Sequence, residues 1–236
     1  MIQIENISLG YRSHTLIENA SAKIAIGSLT ALIGRNGAGK STLLRALAGL
    51  TMPLSGKISL NGIDTHTATA SQLAHTVAMV TTERIRVSNL RCRDVVALGR
   101  SPFTNWIGRA QRADTDIINR ALERVGMAEF AMRTMDTMSD GECQRIMLAR
   151  ALAQDTPIIL LDEPTSFLDV PNRKRLTQLL ASLAHDEGKC VVFSTHELDT
   201  AFSAADTALL AAPPRLHHLP CSEMASSTLL SEAFAL

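Results

Sequence analysis

The 236-residue sequence carries no excess charge of either sign: Lys plus Arg and Asp plus Glu each total 23. A chain without a broad field is not drawn to nucleic acid or an anionic lipid surface, so any charged ligand must be held locally. Long apolar runs are missing too. Nothing approaches the roughly 18 to 20 residues that cross a bilayer, and even the run 207–212 is closed off by Pro213 and Pro214. The opening MIQIENISL alternates apolar and polar residues as a strand does, without the basic start and apolar stretch of a secretory leader. The expectation is a protein that is soluble by itself and not secreted. Cys92, Cys143, Cys190 and Cys221 form no C-x-x-C pair. This argues against zinc or a redox couple and for reduced, semi-buried thiols in cytoplasm. No repeat, low-complexity tract or sustained heptad is visible, which excludes solenoids and long coiled coils.

Apolar material is plentiful: 46% of residues are hydrophobic, enough for a full core in a single domain. Short β-rich runs alternate with helical patterns. LTALIG at 29–34 leads into KSTLLRALAGL, PIILLD at 157–162 precedes a helical stretch after Pro171, and CVVFST at 190–195 passes into ELDTAFSAAD. Such alternation predicts an α/β fold with a parallel sheet covered on both faces, whose carboxyl edge binds ligands. Around 83–151 the texture becomes helical, with Ile117, Ile118, Ala121, Leu122 and Val125 at helical spacing. This segment reads as a helical subdomain inserted into a core formed by 1–82 and 152–236. The segment after the two prolines carries little readable chemistry.

The strongest motif is Gly34-Arg35-Asn36-Gly37-Ala38-Gly39-Lys40-Ser41, which follows an apolar strand and opens a helix as a phosphate-binding loop requires. Glycines let backbone N–H groups converge on phosphate oxygens, and the helix start adds the positive end of its dipole. Lys40 is expected to reach the β- and γ-phosphates, Ser41 to offer a hydroxyl to Mg²⁺, and Thr42 to help bind phosphate. The loop points to ATP as ligand. A second apolar strand ends in Asp162 and Glu163. Asp162 suits a carboxylate near Mg²⁺, and Glu163 can take a proton from the water that attacks the γ-phosphate. His196, directly after a third strand, falls near the same edge and can hydrogen-bond phosphate and water.

Met138-Ser139-Asp140-Gly141-Glu142, followed by Gln144-Arg145 and a helix, resembles the signature motif of the ATP-binding cassette family, with Met for the usual leucine. The resemblance spans residues 1 to 211. It rests on the order of phosphate loop, signature, paired acids, Ser166-Phe167-Leu168-Asp169 and His196. It implies a P-loop NTPase parallel-sheet core with an antiparallel β subdomain and an inserted helical subdomain. It also implies a head-to-tail homodimer in which Ser139, Gly141 and Glu142 of one subunit close over ATP held by the other. Asp169 matches the loop between the two sites, and Tyr11, the sequence's only tyrosine, the adenine-stacking aromatic; a plain surface tyrosine is the alternative. The family's usual glutamine after 77–80 is replaced by Thr81-Thr82-Glu83, so Thr82 or Glu83 takes the metal or water contact there.

The run Asp94 to Phe103 looks like the cassettes of importers for iron siderophores, haem and vitamin B12. On that narrower resemblance the chain is expected to lie on the cytoplasmic face of the inner membrane. Its segment 83–106 docks on a separate permease, with Phe103 and Trp106 either at that surface or in the subdomain core. A substrate-binding protein is an indirect partner, and nucleic acid is none. The alternatives are a soluble non-transport cassette ATPase and an exporter subunit.

Overall fold

A computed structural model describes residues 1–11, 14–83, 89–103 and 112–234. In chain order it forms β1 (Ile2–Tyr11), β2 (His14–Ile24), β3 (Leu29–Ile33), α1 (Lys40–Leu47), β4 (Ser55–Leu60), β5 (Ile63–Asp64), α2 (Ala70–Thr76) and β6 (Val77–Val80). Three helices follow, α3 (Cys92–Ala97), α4 (Arg112–Arg124) and α5 (Asp140–Gln154), and then β7 (Ile158–Leu161), α6 (Val170–His185), β8 (Cys190–Thr195) and α7 (Leu198–Ala204). The end of the chain adds β9 (Thr207–Ala212), β10 (Arg215–Pro220), α8 (Cys221–Ser226) and α9 (Thr228–Phe234).

Two sheets result. The larger has strand order β10-β9-β3-β8-β7-β6, with every pair from β9 to β6 parallel and β10 antiparallel at one edge. The smaller runs β2-β1-β4-β5, all antiparallel. Strands β3, β7 and β8 are buried at every position, as expected where helices or a second sheet cover both faces of a parallel sheet. The alternation of side chains divides them between two cores. Leu32, Ile158, Leu160, Val192 and Leu209 pack with Leu43, Leu44 and Leu47 of α1 and with Ile2, Ile4 and Ile7 of the antiparallel sheet. Ala31, Ile33, Ile159, Leu161, Val191 and Phe193 pack on the other side with Leu180 and Leu183 of α6 and with α5.

Helices α3, α4 and α5 occupy the stretch that reads as helical. Ile118, Ala121, Leu122 and Val125 are buried together with Val95, Val96 and Ile146, in a cluster continuous with the second face of the sheet. No helix of the described residues is long and apolar enough to cross a membrane. All four cysteines are buried and unbridged. Trp106 lies outside the described residues, as do 84–88 and 104–106 of the stretch 83–106.

The segment after Pro213 and Pro214, silent in the sequence, supplies the antiparallel edge. β10 pairs with β9 from Arg215 opposite Ala212 to Pro220 opposite Thr207, and Met224 of α8 and Leu230 of α9 are buried.

Candidate functional site

The parallel register fixes where the candidate residues emerge. Ile33 of β3 lies beside Thr195 of β8, Leu161 of β7 beside Phe193 of β8, and Val80 of β6 beside Leu161. Four neighbouring strands therefore end along one edge. They release the loop 34–39, then His196, then Asp162 and Glu163, then Thr81 to Glu83. Ligands of such sheets bind at this edge, where backbone groups are no longer committed to the ladder.

The first loop is built around glycine. Gly34 has φ 153° and a Cβ there would stand 2.6 Å from the Ala211 carbonyl oxygen, so no other residue fits between β3 and β9. Gly39 holds φ 92° at the N-cap of α1. No side chain caps this helix and its first turn has no acid, so its orphan N–H groups and positive dipole end face the loop unneutralised. Gly37, at φ 80°, has nothing within 4 Å of its open side. Lys40 is 6% exposed, and its ammonium donates to the carbonyls of Gly34 at 2.9 Å and Arg35 at 3.2 Å. Burial pushes its pKa down, and the charges of Glu163 and Asp162 oppose that shift. Asn36 and Ser41 are exposed beside it, while Ala38 is buried. An uncapped helix start, glycine-turned amides and a buried ammonium held by carbonyls rather than a carboxylate make a cradle suited to a polyphosphate. Tyr11, 67% exposed at the end of β1, brings its hydroxyl within 3.4 Å of Thr42 Oγ1, which puts a flat apolar face beside the cradle.

At the end of β7, Asp162 is 3% exposed and accepts a hydrogen bond from Ser194 Oγ at 2.6 Å. The same Ser194 oxygen accepts from the Glu163 N–H at 2.8 Å, so one hydroxyl of β8 orients both acids. Glu163 sits at φ 45°, a left-handed conformation that costs a non-glycine residue about 1–2 kcal/mol and is found where surrounding structure enforces it. Ser166 Oγ donates to Glu163 Oε2 at 3.1 Å, and His196 Nδ1 lies 3.5 Å from Glu163 Oε1. The structure thus brings Lys40, Asp162, Glu163 and His196 to one edge. Ser194 was missed in the sequence, and Ser166 was noted only as part of the run 166–169, without its contact to Glu163. A polar residue within the apolar run CVVFST is the signal that would have found Ser194.

Ser139, Gly141 and Glu142 stand elsewhere. Ser139 is the N-cap of α5: its hydroxyl and N–H both donate to Glu142 Oε2 at 2.8 Å, and the Glu142 N–H donates back at 3.3 Å. This reciprocal capping box keeps the Glu142 carboxyl below its usual range, first through the Ser139 backbone and then through its hydroxyl. Ser139 is exposed, and its hydrogen bonds stay within this turn. Thr82 is half-buried at the end of β6, whereas Glu83 is exposed and turned to Arg45 of α1 at 3.6 Å. Among the described residues no cluster of three or more His, Cys, Asp or Glu side chains is arranged to hold a metal.

Comparison with known proteins agrees with this geometry. The profile of the ABC transporter family matches residues 17–166. The achromobactin transport ATP-binding protein of Dickeya dadantii (strain 3937) is 37% identical over 205 residues, covering 87% of this chain and 76% of that protein. The iron(3+)-hydroxamate import ATP-binding protein of Bacillus subtilis (strain 168) is 35% identical over 200 residues, covering 85% and 74%. Among solved structures, an inward-facing transporter assigned to the metal-chelate type superposes with a TM-score of 0.87 at 28% identity, covering 100% of this chain and 89% of that one. A dimeric ATP-binding cassette in a post-hydrolysis state with ADP and phosphate gives 0.83 at 25% identity, covering 94% and 99%. With its family profile, its relatives and its fold in agreement, the chain belongs to the ABC transporter family and is an ATPase of the ATP-binding cassette type.

Proposed function

We propose that this chain is the ATP-hydrolysing subunit of an importer, acting as a head-to-tail pair on a separate permease and taking up an iron chelate or a related cofactor such as haem or vitamin B12. One observation carries the pairing. The phosphate cradle and the acids share one edge, while Ser139 is exposed at the start of a different helix, α5, where its side chain bonds to Glu142 of the same turn. Two copies arranged head to tail supply each cradle with the other's Ser139 turn, a second helix start aimed at the γ-phosphate. The cargo is inferred from relatives named for achromobactin transport and iron(3+)-hydroxamate import.

In this reading Tyr11 stacks on adenine, and Gly34, Asn36, Gly37, Ala38, Gly39, Lys40 and Thr42 hold the phosphates. Ser41 and Asp162 would hold Mg²⁺, which would supply neutralisation of the charge developing on the phosphates. Ser194 donates to Asp162 Oδ1 and so fixes the carboxylate that would hold the metal. Thr82, at the end of β6 next to β7, is better placed for a metal or water contact than Glu83, whose carboxylate is drawn to Arg45. Glu163 accepts the proton of the attacking water, with Ser166 and His196 on either side fixing its carboxylate. His196 also donates to the γ-phosphate. Hydrolysis cleaves the γ-phosphate from ADP, the departure of that phosphate removes the charge that holds the two copies together, and their separation moves the docked permease.

Docking is assigned to residues 83–106, on the cytoplasmic side of a membrane the chain does not itself enter. Leu98 is 52% and Phe103 39% exposed, and Phe103 is pinned between the Arg100 guanidinium, 4.0 Å from its ring, and the His75 ring at 4.6 Å. A held but exposed aromatic suits a partner helix better than a core. Co-purifying the native membrane partner and identifying it tests the importer reading. A polytopic permease encoded for chelate uptake is expected; a ribosome or DNA-repair complex would overturn it.

A further inference from the structure

Two loops leave the catalytic edge independently, yet one side chain ties them together. The first runs from Glu163 through 166–169 to α6, where Asp169 caps the helix by accepting from the Asn172 N–H at 2.9 Å. The second carries His196 from β8 into α7. Arg173, in the first turn of α6, spans both. Its Nε donates to the Leu168 carbonyl at 2.8 Å and its Nη1 to Glu197 Oε1 at 2.5 Å. Glu197 is committed on its other side, where Oε2 accepts from Thr200 Oγ1 at 2.9 Å while its N–H donates to Thr195 Oγ1 at 3.0 Å. His196 itself has a half-exposed side chain and only the 3.5 Å approach to Glu163. Its position is therefore set by the backbone on either side, and Glu197 is what holds that backbone.

From these contacts we infer that Arg173 is a positioning residue for hydrolysis. Its fork locks the segment carrying Glu163 and Asp169 to the loop carrying His196, so that the proton acceptor and the γ-phosphate donor keep register. A guanidinium suits this task because its rigid plane offers separate donors to a carbonyl and a carboxylate at once, whereas an ammonium is a point charge. The inference rests on the roles proposed above for Glu163 and His196. It adds a consequence they lack: movement of the 166–169 segment, which in the paired cassette runs between the two sites, is passed directly to His196.

The test begins with the nucleotide-free full chain. In Arg173→Met, amide hydrogen exchange is expected to rise in 166–168 and in 196–200 together, with α1 and β3 unchanged. With Mg·ATP, kcat is expected to fall about tenfold while KM stays within about twofold, the pattern of a lost transition-state interaction. Arg173→Lys should restore little of that loss. Glu197→Ala cuts the same link from the other side without touching α6, and the double variant should lose clearly less than the sum of the two single ones, because both remove the Arg173–Glu197 contact they share. Additive losses, or faster exchange in one loop only, would overturn the link. Full turnover in His196→Ala would instead overturn the site assignment beneath it, whatever the exchange data show.

Discussion

Lys40 shows at the scale of one residue what the site asks of the fold. Its ammonium is buried against the loop carbonyls, and burial lowers its pKa. The unfolded chain therefore holds that proton more tightly, so the charged lysine weakens the nucleotide-free fold at neutral pH, and the penalty fades as pH rises toward the ordinary lysine range. A triphosphate removes the penalty by giving the charge a partner. Lys40→Met is accordingly expected to melt no lower than the parent without nucleotide. It should lose the stabilisation given by Mg·ATP, about 2.7 kcal/mol at a hundredfold excess over Kd; differential scanning calorimetry with and without nucleotide checks both. Glu163 combines a strained backbone with three defined neighbours, Ser194, Ser166 and His196. Glu163→Gln preserves shape and should keep ATP affinity within about threefold while steady-state turnover drops by at least about a hundredfold, as expected for loss of a general base. Equilibrium binding and a phosphate-release assay separate the two effects.

Among the elements, α5 carries the Ser139 turn that the proposed pairing sets over the partner's cradle. Its start is packed so closely on the 165–168 segment that a Cβ on Gly141 would stand 2.8 Å from the Phe167 carbonyl oxygen. Gly141→Ala should therefore destabilise the chain by about 1–3 kcal/mol, the usual range for overpacking against backbone, read as a shift in urea midpoint. The Ser139–Glu142 box has a pH signature. Because the Glu142 carboxyl is held below its usual range, its contribution is present above the ordinary carboxylate pKa and is lost as pH falls through the lowered folded value. Ser139→Ala, which costs a helix cap about 1 kcal/mol, should flatten that part of the stability profile.

The sequence was most legible where one local rule governs. Glycine spacing before Lys40, the acids closing β7 and the histidine after β8 each follow from strand-end chemistry, and the structure sets them along one edge. Less legible were contacts made across distance. Ser194 stands out as a polar residue in an apolar run, but its partners Asp162 and Glu163 are visible only once β8 is placed beside β7. Arg173 and Glu197 look like two surface charges 24 positions apart until α6 and α7 bring them together. The edge strand β10 was silent because its half-buried positions do not alternate, and helices α8 and α9, at 6 and 7 residues, are too short for a helical period to stand out in the sequence.

At the scale of the whole molecule, the proposed ATP site is divided between two places on each chain. One chain supplies the cradle, the acids and His196 at one place and the capped Ser139 turn at another, and no charge excess favours any partner but a complementary one. The continuous core beneath α3, α4 and α5 lets a shift of that helical face be felt at the sheet edge. The most direct measurement is the mass in solution of purified Glu163→Gln by multi-angle light scattering, without nucleotide and then with Mg·ATP. The account predicts a change from 25.4 kDa to twice that value, abolished when Ser139→Tyr is added to block the seam. A chain that binds ATP and stays at its monomer mass, alone and beside its permease, would contradict it.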